Sequence, residues 1–226
     1  MWPLTVVSTK QLLPIFDKPM IYYPLTTLML DGIRDILIIT AASEVPRFEA
    51  LLGDGSQWGI SISYAVQAQP DGIAKAFIIG EKFIDGQNYA LILDDNIFYG
   101  AGLGELVYRV ALSESKATVF CHWVNNPKRY GILEFDGENR PVCIEEKPKQ
   151  PKIELGGDRT SSIVDVARKL KPSARGELEI TDANRVYLEA GRLSGRGFAW
   201  FDAGTHHSLL QASEFIYMIG PQDRLS

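Results

Sequence analysis

Apolar and polar positions along the chain follow two alternating periods. Short runs of aliphatic and β-branched residues, at 36–40, 60–66, 89–93 and 117–124, have the length and composition of buried strands. Between them lie stretches of helical spacing that begin near Pro19, Pro46, Gly72 and Gly102. Strand and helix in repeated alternation predict an α/β domain with a mostly parallel sheet. The first helix carries its own end signals: Asp17 is a candidate N-cap, Pro19 suits the first turn, and Gly32 suits the stop. Pro24, inside that helix, is a candidate kink.

From residue 130 the texture changes. The runs 130–136 and 140–146 flank an Asp-Gly-Glu-Asn turn and predict a β-hairpin, which delivers Glu145, Glu146, Lys147 and Pro148. Residues 149–161, rich in Lys, Pro and Gly, are the one linker-like stretch, and no internal repeat or low-complexity tract occurs. Helices are expected near 162–170 and 181–190, then a strand at 197–202 and an amphipathic helix from about Thr205 to Ile219. The expectation is a single domain over 1–226, with halves at 1–125 and 126–226.

Composition narrows the function. A chain of 226 residues with 46% hydrophobic and 23% charged residues can bury a full core. A net charge of -5, with basic residues interspersed among acidic ones, provides no broad basic surface for nucleic acid or anionic lipid. A phosphorylated small molecule would instead be met by a few local cations. Cys121 and Cys143 sit in apolar stretches without metal or redox spacing and read as core thiols. No apolar run approaches the roughly 20 residues of a membrane span, and no basic leader precedes an apolar core, so the cytoplasm is the expected compartment.

Candidate chemistry lies at strand ends. Asp94 and Asp95 follow the 89–93 run, and Asp202 closes the 197–202 run. Ligands of open α/β sheets bind beyond the carboxyl ends of strands, and magnesium is commonly held by one or two carboxylates plus substrate phosphates. The same aspartates also suit helix caps or turns. Lys10, Lys147 and Arg175 are candidate phosphate contacts, although each alone also suits a solvated surface. Gly72 opens a helix whose free N–H groups would suit an anion or a polar ring edge, while Asp-Gly is equally an ordinary turn. His122, His206 and His207 lack ligand spacing and read as structural, and no GxGxxG follows a first strand, which argues against a dinucleotide oxidoreductase.

Seven segments, at 10–25, 53–59, 95–100, 129–131, 145–148, 171–182 and 204–206, strongly resemble the sugar-1-phosphate nucleotidylyltransferases, and among them the bacterial glucose-1-phosphate thymidylyltransferases. The longest reads Lys-Gln-Leu-Leu-Pro-Ile-Phe-Asp-Lys-Pro-Met-Ile-Tyr-Tyr-Pro-Leu, from Lys10 to Leu25, and another reads Lys-Pro-Ser-Ala-Arg-Gly-Glu-Leu-Glu-Ile-Thr-Asp, from Lys171 to Asp182. The resemblance implies a Rossmann-like three-layer αβα nucleotidyltransferase fold with a mixed, mostly parallel sheet and a small β-hairpin sugar-binding extension. Residues 1–125 would be the nucleotide-binding half and 126–226 the sugar-phosphate half. It implies transfer of dTMP from dTTP to glucose 1-phosphate with Mg2+, in a homotetramer supplying dTDP-rhamnose. Lys10 would contact phosphates, Gln67 and Gly72 would read the thymine, and Asp95 and Asp202 would hold the metal. Gly131, Glu146 and Lys147 would meet the sugar phosphate, and Arg175 would clamp it.

The chain departs from that pattern at several points. The family's nucleotide loop reads Gly-Gly-x-Gly-Thr-Arg-Leu-x-Pro-x-Thr, and Met1 to Thr5 correspond only to its tail. Asp94 replaces a glycine, residues 153–162 replace a strand that lines the sugar site, and a few residues are missing between Ser194 and Gly195. A catalytically impaired homologue that binds nucleotide sugars is therefore the alternative, and a subunit-assembly fragment a third class. UTP in place of dTTP stays open, because one methyl in a pocket is worth only about 1–3 kcal/mol.

Overall fold

In the computed structural model, the stretch ahead of the first helix folds back on itself. The structure describes residues 2–6, 9–99, 117–121, 131–138, 140–146, 162–197, 199–202 and 205–219. They fall into two units: Met1–Arg34 with Ala90–Tyr108 and Phe198–Ser226, and Asp35–Tyr89 with Arg109–Gly197.

In the first unit, 3-10 turns at Leu4–Val6 and Lys10–Leu12 lead into a two-residue antiparallel ladder, β1 (Pro14–Ile15) on β2 (Lys18–Pro19). The turn between them tips Phe16 to φ 57° and sends Ile15 fully into the interior. Asp17 therefore sits in that turn and does not cap a helix; α1 runs Tyr22–Leu30 with Ile21 at the N-cap position. Pro24 is the third helical residue, where no N–H would be bonded within the helix, so the expected kink has no cause. The stop at Gly32 is as expected. Its φ of 78°, with Gly32 N–H on Met29 O and Ile33 N–H on Leu28 O, is a Schellman closure. Antiparallel β5 (Asn96–Tyr99) and β10 (Ala199–Asp202) and the final helix α7 (His206–Ile219) complete this unit. Ile15, Met20, Ile97 and Ala212 form its core.

In the second unit, β3 (Asp35–Thr40) and β4 (Ser61–Val66) pair in parallel across α2 (Val45–Leu52), whose Pro46 occupies the first turn as expected. The helix expected from Gly72 starts at Lys75 and breaks at Gly80 into α3 (Lys75–Ile79) and α4 (Glu81–Ile84). β6 (Ala117–Cys121) pairs in parallel with β9 (Leu193–Gly197). β7 (Gly131–Phe135) and β8 (Pro141–Glu146) form the predicted hairpin, with a bulge at Glu134/Phe135. The Asp136 carboxylate staples that turn by accepting from the Glu138 and Arg140 N–H groups at 2.9 Å each. Those bonds and the Arg140 side chain hold its carboxyl below the usual range. α5 (Ile163–Lys169) is capped by the Ser162 hydroxyl, which accepts from Asp165 N–H, and α6 (Ile180–Glu189) follows. Phe77, Ile163, Val166, Ala183 and Tyr187 anchor this core. Full burial of each large member contributes about 1.5–3 kcal/mol at most.

Two expectations are corrected. The run 89–93 is not a strand: none of the described strands pairs with it, and Tyr89, Leu91 and Leu93 remain 42%, 41% and 37% exposed. Apolar composition alone does not make a strand without a partner for its N–H and C=O groups. The single run at 197–202 is also divided, ending β9 at Gly197 and starting β10 at Ala199 on a different partner. Among the described residues the strands form five two-stranded ladders, two parallel and three antiparallel. The helix expected from Gly102, the 149–161 stretch and His122 lie outside the described residues.

Candidate active site

In the first unit, Lys10 and Asp95 meet as an ion pair. Asn96 Nδ2 donates to the other carboxylate oxygen of Asp95 at 2.8 Å, so Asp95 is oriented from two sides. Gln11, which the sequence did not single out, hydrogen-bonds Asp94 through its side chain. Burial pushes the Asp94 carboxyl up, the neighbouring Asp95 charge adds to this, and Gln11 and Lys10 partly offset it. Asp94 and Asp95 sit in the turn ahead of β5, not at the end of a strand, because 89–93 is irregular. Asp202 does close its strand. The β5–β10 register sets it opposite Asn96, an antiparallel pairing of Cα atoms about 5 Å apart, so the residue after Asp95 is its direct neighbour.

This donor set fits a hard divalent cation. Two adjacent carboxylates share one lysine, a surplus of negative oxygen donors. No three His, Cys, Asp or Glu side chains gather as a metal cage among the described residues.

In the second unit, Gln67 extends β4 by donating its N–H to Thr40 O at 2.9 Å, and its Nε2 reaches Gly72 O at 3.4 Å. Gly72 has φ 102°, and a Cβ there would stand 2.4 Å from Leu178 O and 2.5 Å from Leu178 N. Only glycine fits. The contact is a clasp: Leu178 N–H donates to Asp71 O at 2.6 Å, and Ala74 N–H donates to Leu178 O at 3.1 Å.

The hairpin register places Gly131 opposite Glu146. Glu146 accepts from the Thr181 hydroxyl and lies 3.7 Å from Arg175 Nη2. The same Nη2 lies 2.7 Å from Glu179 and 3.3 Å from Glu177, and Ser173 Oγ donates to Glu179 at 2.8 Å. The Glu179 bond, with the three carboxylate charges behind it, holds the Arg175 guanidinium firmly protonated. Gly131, Glu146 and Arg175 are thus brought together, as are Gln67 with Gly72 and Lys10 with Asp95. Lys147 lies outside the described residues. Glu179 and Thr181 escaped the sequence reading. Their signal was weak, an Arg-x-x-x-Glu spacing that ordinarily marks a solvated helix face.

Residues 1–218 match the family model described as Nucleotidyl transferase. The chain belongs to the nucleotidyl transferase family. Among its relatives, glucose-1-phosphate thymidylyltransferase of Neisseria meningitidis serogroup A is 54% identical over 227 residues, covering 97% of this chain and 79% of that protein. The enzyme of the same name from Mycolicibacterium smegmatis is 49% identical over 225 residues, covering 96% and 78%. A crystal structure described as a Bacillus anthracis glucose-1-phosphate thymidylyltransferase with bound sucrose superposes with a TM-score of 0.82 at 35% identity, covering 95% and 89%. An apo UDP-glucose pyrophosphorylase shares the fold alone, with a TM-score of 0.77 at 22% identity over 96% and 93% of the two chains. The nucleotidyl transferase fold, α/β with parallel strand content, is therefore the fold of this protein. No helix of the described residues is long and apolar enough to cross a membrane.

Proposed function

We propose that this nucleotidyl transferase joins dTTP and glucose 1-phosphate into dTDP-glucose and pyrophosphate. The observation that carries this is the 54% identity over 97% of the chain to a glucose-1-phosphate thymidylyltransferase. The relatives named above bear the name of the active enzyme, so a catalytically impaired homologue has no support among them.

The reaction forms a bond between a phosphate oxygen of glucose 1-phosphate and the α-phosphorus of dTTP. It breaks the bond from that phosphorus to the bridging oxygen, and pyrophosphate leaves. No side-chain nucleophile is required, and the protein contributes alignment and charge. Gln67 and Gly72 offer amide and main-chain groups to the edge of thymine, and the close-packed Gly72 backbone supports that contact. Lys10 is the cation for the triphosphate, oriented by Asp95. Arg175 meets the sugar phosphate, Lys147, which follows Glu146 in the chain, is assigned to the same phosphate by the resemblance, and Gly131 and Glu146 face the sugar. Asp95 and Asp202 would hold Mg2+, which when bound draws charge from the phosphate oxygens and makes the α-phosphorus a better electrophile. The cytoplasm as the compartment is part of the same proposal, as is assembly into a homotetramer.

The test is pyrophosphate release from dTTP, UTP and CTP, each offered with glucose 1-phosphate and magnesium. The proposal expects dTTP to be used best; preference for CTP, or no release with any of the three, overturns it.

A further inference from the structure

Three carboxylates converge on one guanidinium nitrogen, and their surroundings differ. Glu179 lies 2.7 Å from Arg175 Nη2 with its side chain 10% exposed; Glu177 lies at 3.3 Å and 35%, and Glu146 at 3.7 Å and 24%. Exposed pairs are weak because water competes for both partners, whereas a buried carboxylate that loses its cation has nowhere to place its charge. Glu179 is therefore the partner that keeps Arg175, and Glu177 and Glu146 are the partners that can yield to an incoming phosphate.

Glu179 is itself held from several sides. Ser173 Oγ donates to it, its own carbonyl accepts from Ala183 N–H at 3.4 Å, and α6 behind it buries Thr181, Ala183 and Tyr187. The residue before it, Leu178, is clasped in both directions by Asp71 and Ala74, flush against Gly72. One peptide link thus joins the loop that carries Gly72 to the carboxylate that carries Arg175.

We propose that Glu179 is a positioning residue: it holds Arg175 for the sugar phosphate and, through the Leu178 clasp, sets that clamp at a constant reach from the base-reading loop. This rests on the thymidylyltransferase reading above. Its consequence is selective. Loss of the Glu179 charge releases Arg175 to swing toward Glu177 and solvent, weakening ligands that span base and sugar phosphate, while ligands that end at the nucleotide are held as before.

The experiment is calorimetric titration of dTDP-glucose, and separately of dTTP with magnesium, into the wild-type protein, Glu179→Gln, Arg175→Ala and the double variant, with Tm measured for each. Glu179→Gln is expected to weaken dTDP-glucose about tenfold while dTTP changes less than about twofold, and the double variant is expected to match Arg175→Ala alone, the signature of two residues acting as one unit. Glu179→Asp, one methylene shorter but charged, should recover part of the loss. Effects of Glu179→Gln and Arg175→Ala that simply add, or an equal loss for both ligands in step with a fallen Tm, would show a structural carboxylate and overturn the proposal. A wild-type protein that does not bind dTDP-glucose at all overturns the thymidylyltransferase reading itself, and this proposal with it.

Discussion

Lys10 and Asp95 stand 85 positions apart in the chain and close an ion pair in which neither side chain is more than a quarter exposed. Lys10 comes from the turn before β1 and Asp95 from the turn before β5, so the pair ties two loops whose neighbours Ile15 and Ile97 share one core. A lysine held this way is an oriented point charge at a place where a triphosphate would be met. Lys10→Met is expected to lower kcat/KM for dTTP by about two orders of magnitude, the usual cost of one oriented charge acting on a developing transition state. Steady-state kinetics with a parallel Tm measurement decide it: a normal kcat/KM with a fallen Tm would make the pair structural only.

Gly72→Ala places a methyl where no space exists, since its Cβ would stand 2.4–2.8 Å from three backbone atoms of Leu178 and its φ of 102° is strained for any L side chain. The clasp must open for the variant to fold. A loss of about 2–4 kcal/mol in denaturant unfolding is expected, at the upper end of single substitutions. A variant with unaltered stability would mean that the clasp is not present in solution.

Several features were legible in the sequence because local chemistry decides them. The Gly32 stop and the Asp136 turn each work through neighbours a few residues away. The run 89–93 was not legible, because strand formation needs a partner that composition does not name. Asp17 looked like a cap until burial of Ile15 required a hairpin there. At the candidate site the charged residues stood out by type, while Glu179 did not, since its role comes from being 8% exposed and from Ser173 beside it.

Asp94, which by the resemblance stands in place of a glycine, is buried enough to push its carboxyl upward, and the neighbouring Asp95 charge adds to this. A second carboxylate beside the proposed phosphate path opposes a triphosphate by on the order of 4 kcal/mol per charge pair at about 4 Å, with an effective dielectric near 20 and before solvent screening. Screening and the nearby Lys10 reduce this, so Asp94→Gly is expected to tighten dTTP about tenfold at saturating magnesium. Calorimetry on both proteins measures it, and unchanged or weaker binding in the glycine variant would show Asp94 to be neutral or a working ligand.

Asp31, after the last turn of α1, has a buried Oδ1 with no hydrogen-bond partner among the described residues, and burial raises its carboxyl from 3.8 to about 6. The folded state therefore binds the proton more tightly than the unfolded chain does. Between pH 3.8 and about 6 the folded form carries the extra proton, so this group makes the protein less stable as pH rises through that window, with the full penalty present above it. Asp31→Asn removes the charge. Its Tm should exceed that of the wild type by more at pH 7.5 than at pH 4, and an equal offset at both values would contradict the assignment.

The most direct measurement is phosphorus NMR of one reaction containing the protein, dTTP, glucose 1-phosphate and magnesium. The account predicts that the three dTTP resonances and the sugar-phosphate resonance fall together while the paired diphosphate signals of dTDP-glucose and the single line of pyrophosphate rise in equal amounts. Persistence of glucose 1-phosphate while dTTP is lost to dTMP or dTDP, or no change in any resonance, would contradict it.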